Sequence, residues 1–199
     1  MIRVRAAAAL LFALFLAAGC APLRPAATDE DALAAGLPVY SVDGKVSWRA
    51  PEGAGRAAVS WAQTRDRARM VLSGPFGAGA AVLEEDSSGA RLRVGEQRRT
   101  APDAGTLIER ELGIPLPVAQ ARHWVLGTLA PGRGRVVERD AAGRPARIEQ
   151  AGWQVAFERR RSVDGFALPG RIEMTHGDVR LLFVATRWRP LVADFPVEG

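Results

Sequence analysis

One cysteine, two histidines and no apolar run long enough to cross a bilayer are the scarcities that first bound this 199-residue chain. A single cysteine can close no disulfide within the chain, so the fold must rest on its apolar core. Two histidines without a cysteine partner, neither set in H-E-x-x-H, make a poor zinc centre. His123 and His176 read instead as ordinary boundary side chains. No G-x-S-x-G is present, and nucleophilic catalysis needs a nucleophile with a base beside it. The glycines of "GPFGAG" at 74–79 lead into a strand pattern and open no helix, which a dinucleotide loop must do. Glu84, Glu85 and Asp86 are adjacent acids at a strand end, the pattern of a solvated face. Neither an enzyme nor a cofactor is expected. The formal charge is +5, but the basic runs at 132–135 and 159–161 are short and separate. A nucleic-acid binder needs a basic stripe interleaved with stacking aromatics, so no nucleic-acid partner is expected.

What is present begins at the amino end. Arg3 and Arg5 precede an apolar stretch from Ala6 to Leu16, with "AAGC" at 17–20. That stretch is shorter than the roughly 20 residues a membrane-spanning helix requires. A basic head, a short apolar run and a small-residue site make a bacterial export signal. The only cysteine follows that site and resembles the acylated cysteine of a bacterial lipoprotein, with Leu16 one place earlier than in the commonest such signal. Residues 1–19 are therefore expected to be a signal peptide, and 20–38 a lipidated tether with a short helix that Pro38 ends. Residues 39–199 suit one domain. Ala21 after the cysteine implies, by the same resemblance, an outer-membrane anchor through Cys20 with the protein facing the periplasm.

From Tyr40 onward the pattern becomes short extended segments between turn residues. Within "RARMVLS", Ala68, Met70 and Leu72 face one way while Arg67, Arg69 and Ser73 face the other. That period of two predicts half-buried antiparallel strands. Six such segments lie between 40 and 100, and five more between 134 and 188, the fourth of these running from Leu168 to Thr175. Between them two helices are predicted near 102–127, the first with Asp103 as N-cap and Gly113 as its stop, the second opening after Pro117. The expected fold is mainly β: a curved, incompletely closed antiparallel β-barrel of about eleven strands with a helical lid.

Wide apolar side chains are spread over these strands: Trp48, Trp61, Trp124, Trp153, Trp188, Phe157 and Phe183. A packed core explains them, and so does an apolar cavity under the lid. Alternation alone does not choose, because a filled and a hollow barrel share it. One further feature is Phe76, held among small residues in the turn "SGPFGAG".

Eight features in order carry a family resemblance: Cys20, "GKVSW", "VSWAQ", "LSGPFG", "LGIPLPVAQARHWVLG", "IEQAGWQVAF", "LPGRIEM" and "TRW". Taken together the chain resembles the LolB family, outer-membrane receptors that take lipoproteins from the periplasmic carrier LolA. The resemblance implies an open barrel whose apolar interior holds the acyl chains of a passing lipoprotein. Trp61, Met70, Leu72, Leu83, Trp124, Trp153, Phe157, Ile172 and Met174 are the candidates to line it. It also implies a membrane-insertion loop at Pro75, Phe76 and Gly77, where the family commonly has Leu in place of Phe76. The implied partners are a LolA-like carrier, acylated cargo and outer-membrane lipid, with the protein itself a monomer. The alternative is an envelope lipoprotein that binds another lipid or serves as a scaffold.

Overall fold

The computed structural model describes residues 39–74 and 80–190. Cys20, the expected signal, tether and short helix, and the turn residues Pro75, Phe76 and Gly77 lie outside the described residues. Six strands come first: β1 (Tyr40–Ala50), β2 (Gly53–Gln63), β3 (Ala68–Ser73), β4 (Ala80–Asp86), β5 (Gly89–Val94) and β6 (Gln97–Ala101). Helices α1 (Ala104–Leu112) and α2 (Val118–Trp124) follow. Strands then resume with β7 (Gly134–Arg139), β8 (Pro145–Gln150), β9 (Trp153–Glu158), β10 (Arg161–Val163), β11 (Phe166–Leu168), β12 (Arg171–His176) and β13 (Val179–Pro190).

Eleven of these strands form one antiparallel sheet in the order β6-β5-β4-β3-β2-β1-β13-β12-β9-β8-β7. Its two edges, β6 and β7, do not pair with each other, so the barrel stays open. The first strand holds the sheet together, pairing with β2 on one side and with the last strand on the other. A bulge at Asp43/Gly44 bends that central seam, and the Thr186 hydroxyl donates to the Asp43 carbonyl there at 3.0 Å. Gly44 is required by close approach: a Cβ would stand 2.6 Å from the Val184 carbonyl oxygen and 2.8 Å from the Phe183 ring. Further along the seam Trp48 lies flat across Gly55 on β2, filling the place of the missing side chain.

Two expectations need correction. The segment expected as one strand from Leu168 is broken at Gly170, whose N–H turns back to the carbonyls of Glu158 and Arg159. Leu168 belongs instead to β11, which forms a separate two-stranded hairpin with β10. Asp164 and Gly165 between them both have positive φ, 49° and 84°, as a tight two-residue hairpin turn demands. The second helix also stops earlier than predicted, at Trp124, and the chain then turns through Gly127 at φ 82°.

The helical lid is pinned by side chains of both kinds expected at helix ends. Asp103 accepts from the Thr106 N–H at 2.8 Å and Gly113 closes α1 in the left-handed conformation. Glu85 on β4 accepts from the Ala104 N–H at 3.0 Å, tying the start of α1 to the sheet. On α2 the Arg122 carbonyl accepts from the Tyr40 hydroxyl at 2.9 Å. Burial pushes the Tyr40 phenol well above its ordinary range, with Arg122 opposing weakly, so Tyr40 remains a donor. Burial, helped by the Arg122 charge, pulls His123 below the ordinary imidazole value.

The most concentrated polar fixing is at Gln150, buried at the end of β8. Its carbonyl oxygen accepts from Trp124 Nε1 and from the Ala130 N–H, each at 2.9 Å, while its amide donates to the Ala130 carbonyl at 2.9 Å. Losing these leaves an indole N–H and a backbone pair buried without partners. Gln150→Leu is therefore expected to lower unfolding stability by about 3 kcal/mol in urea titration. A change within about 0.5 kcal/mol, the size of an ordinary surface substitution, contradicts this role.

Candidate functional site

The inward side chains of neighbouring strands form rows across the sheet. One row runs Trp61, Met70, Leu83 and Leu92 over β2 to β5. A second runs Val46, Phe183 and Ile172 over β1, β13 and β12, and a third Trp48, Leu181 and Met174. Between these rows and the lid lies a cavity of about 580 Å³. From the lid it is lined by Leu107, Ile108 and Leu112 of α1, by Ile114 and Leu116 of the connection, and by Val118 and Ala121 of α2. That volume is within the roughly 300–1,000 Å³ usual for sites that enclose a small molecule.

Its chemistry is almost wholly apolar. The charged residues that touch it are Arg56, Arg99 and Glu111, all exposed or half-exposed, so they stand at the rim. Arg99 of β6 and Glu111 of α1 form an ion pair there, closing part of the rim between the sheet edge and the lid. Toward the mouth the apolar lining is incompletely covered: Trp48, Leu72, Leu92, Ile108 and Leu112 are half-buried, and Val94 is 44% exposed. Gly74 and Ala80 also line the cavity, so it reaches the residues that flank the turn 75–79.

Six of the nine predicted lining residues meet at this cavity: Trp61, Met70, Leu72, Leu83, Ile172 and Met174. Trp124, Trp153 and Phe157 do not. Trp153 packs on Trp124 at 6.4 Å and on His176 at 5.3 Å, with its Nε1 donating to the Pro115 carbonyl at 3.3 Å. Phe157 carries the Arg160 guanidinium 5.6 Å from its ring centre. These rings fill the β8–β9 side of the barrel, while the side that runs from β5 through β1 to β13 and β12 stays hollow, covered by α1 and by Val118 and Ala121 of α2. Val46, Trp48, Leu92, Leu181 and Phe183 line the hollow side and were not among the predicted nine. Their strand register with Met70 and Ile172 is the signal that places them, and it depends on which strands pair.

No group of His, Cys, Asp or Glu among the described residues is arranged to hold a metal ion. Among the described residues the site is thus a greasy pouch with a charged rim and no buried ionisable side chain in its lining. Residues 38–188 match the family model for the outer membrane lipoprotein LolB.

The chain belongs to the LolB family.

An outer-membrane lipoprotein LolB of Chromohalobacter salexigens is 36% identical over 155 residues, covering 78% of this chain and 72% of that protein. Another LolB, from Halorhodospira halophila, is 37% identical over 194 residues, covering 92% and 94%. In structure the chain is similar to a LolA superfamily protein from Nitrosomonas europaea, with a TM-score of 0.53 over 84% of this chain and 94% of that one. Sequence identity there is only 9%, so this likeness concerns the fold alone. It agrees with the open antiparallel barrel and helical lid described above.

Membership in the LolB family leaves the use of the cavity in this chain to be tested. Ala57 of β2 lines it and is half-buried, opposite Val46. Ala57→Trp should place a ring in the open space and weaken binding of a fluorescent long-chain fatty acid about tenfold or more, a change of about 1.4 kcal/mol. The thermal midpoint should stay near that of the parent, since the ring enters space that is not packed. Unchanged probe affinity in a folded variant means that the probe binds elsewhere.

Proposed function

We propose that this protein is an outer-membrane receptor that accepts lipoproteins from a periplasmic LolA-like carrier and inserts them into the outer membrane. Acyl chains of the cargo enter the cavity under α1, and the protein acts as a monomer, anchored through an acylated Cys20 and facing the periplasm. In this reading residues 1–19 are removed as a signal, 20–38 form the tether, and 39–199 form the lipoprotein-binding barrel. The observation that carries it is the open cavity of about 580 Å³ with apolar walls and charges only at its rim.

Physical chemistry favours such a device. At about 0.8 kcal/mol per buried CH₂, one long acyl chain represents on the order of 10 kcal/mol, and a lipoprotein carries several. Cargo of that kind does not cross water unshielded at a useful rate. An apolar pouch lowers the barrier, and a modest difference in affinity between carrier, receptor and bilayer drives transfer without breaking a covalent bond. The sequence has no P-loop, and the reading requires no nucleotide.

Phe76 has a role that complements the cavity. A Phe side chain contributes roughly 1.5–3 kcal/mol on burial, too little to anchor a protein but enough to hold a mouth briefly against lipid. The loop of Pro75, Phe76 and Gly77 joins Gly74 to the strand that starts at Ala80, and both of these flanking residues line the cavity. Delivery from pouch to bilayer is then a short step.

Two measurements test this function. Photo-crosslinkers at Met70, Leu72 and Ile172 should each trap acylated lipoprotein, whereas capture of other lipids alone favours a different envelope role. Phe76→Glu should leave folding and cargo uptake near the parent's and slow release into liposomes roughly tenfold or more, from the lost contact with lipid. Equal release rates would remove the loop from the mechanism.

A further inference from the structure

Charges that face each other across the sheet are complementary at most places. Arg69 pairs with Glu84, Arg135 with Glu149, and Arg171 with Glu158, each opposite in register and each within 3.0 Å. Two places break the rule among the described strands. Arg49 of β1 stands directly opposite Arg180 of β13, and Arg93 of β5 directly opposite Arg98 of β6. All four are exposed, and none of their side chains makes a hydrogen bond or ion pair among the described residues. Like charges directly opposite destabilise a sheet, so the pairs gain nothing for the fold.

Both pairs lie at the same end of the barrel. Arg49 and Arg180 are next to the turns β1–β2 and β12–β13, and Arg93 and Arg98 next to the turn β5–β6. In the sheet order the ends of β3 and β4 at Ser73 and Ala80 lie between them. This is also the end where the cavity lining reaches Trp48, Gly74, Ala80 and Val94. Strand alternation then puts an apolar residue on the inner lip beside one arginine of each pair on the outer face: Trp48 before Arg49, and Val94 after Arg93. The turns at this end also carry Glu52, Asp178 and Glu96, so the positive charge is concentrated at the two arginine pairs. Paired cations beside an apolar lip match a bilayer surface, where acyl chains lie beneath a layer of phosphate.

We propose that the cross-strand pairs Arg49/Arg180 and Arg93/Arg98 bind lipid headgroup phosphates and seat the open end of the barrel on an anionic membrane surface. The phosphate charge offsets the repulsion within each pair, and two separated pairs fix the tilt of the mouth as a single charge could not. This rests on the proposed transfer function and adds what orients the mouth toward the bilayer. An acidic face on a carrier protein is the competing occupant. The flanking apolar lip and the wide spacing of the pairs, on opposite sides of the β3–β4 hairpin, favour an extended lipid surface.

The test uses the mature chain carrying Cys20→Ala, so that no acyl anchor masks the contact, with vesicles of phosphatidylglycerol and phosphatidylcholine in equal parts. The parent should co-sediment with these far better than with phosphatidylcholine alone, and binding should fall as salt screens the surface. Arg49→Gln with Arg180→Gln, or Arg93→Gln with Arg98→Gln, should each weaken binding about twenty-fold, with thermal midpoints equal to or above the parent's. Undiminished vesicle binding by a variant that carries all four Arg→Gln changes overturns the proposal. So does normal vesicle binding with lost binding to an acidic-faced carrier, which assigns the arginines to a protein partner. Binding of a fluorescent fatty acid by the same variants is read in parallel. If the parent fails to bind that probe, the cavity reading falls while the vesicle result still stands on its own.

Discussion

Burial of apolar surface is the dominant favourable term in folding, and this barrel leaves part of its own unburied. A curled sheet of eleven strands has a concave face larger than two short helices can cover. Where α2 sits, Trp124 and Trp153 fill the interior and are almost fully buried. Where α1 sits, the walls are Val59, Met70, Leu83 and other residues of moderate size, and space remains. The hollow is therefore a consequence of unequal filling of one continuous core.

Polar interactions decide how that hollow persists. Gln150, Tyr40 and the Trp153 indole fix α2 and its connections to the sheet, all from buried or part-buried positions. The polar contacts of α1 lie near its ends: the Glu85 contact at its start and, toward its close, the Arg99–Glu111 pair and the Arg110 guanidinium donating to the Thr100 carbonyl at 3.3 Å. Exposed ion pairs contribute typically less than about 1 kcal/mol. α2 is thus fixed by buried hydrogen bonds, whereas α1 is held by the burial of Ala104 and Leu107, with the half-buried Ile108 and Leu112 lining the hollow where a guest would sit.

Much of this was legible in the sequence. Period-two alternation located the strands of the main sheet, and Asp103 and Gly113 marked the bounds of α1 through the chemistry of capping. The β10–β11 hairpin was missed although Asp164-Gly165 between two apolar residues is a strong turn signal, because its strands are only three residues each. The position of the hollow was not legible. Met70 and Ile148 alternate alike and are both buried, yet only Met70 lines the cavity. What separates them is where two helices dock across the sheet, a tertiary fact that no local period encodes. For the same reason the widest rings, Trp124 and Trp153, were drawn into the predicted lining when they belong to the filled side.

Diffraction from crystals of the mature chain grown with a bromine-tagged fatty acid addresses the central claim most directly. The account predicts the bromine signal between α1 and the sheet, among Val59, Met70, Leu83 and Leu107. A bromine signal confined to the outer surface, with α1 settled onto the sheet and the space closed, contradicts it.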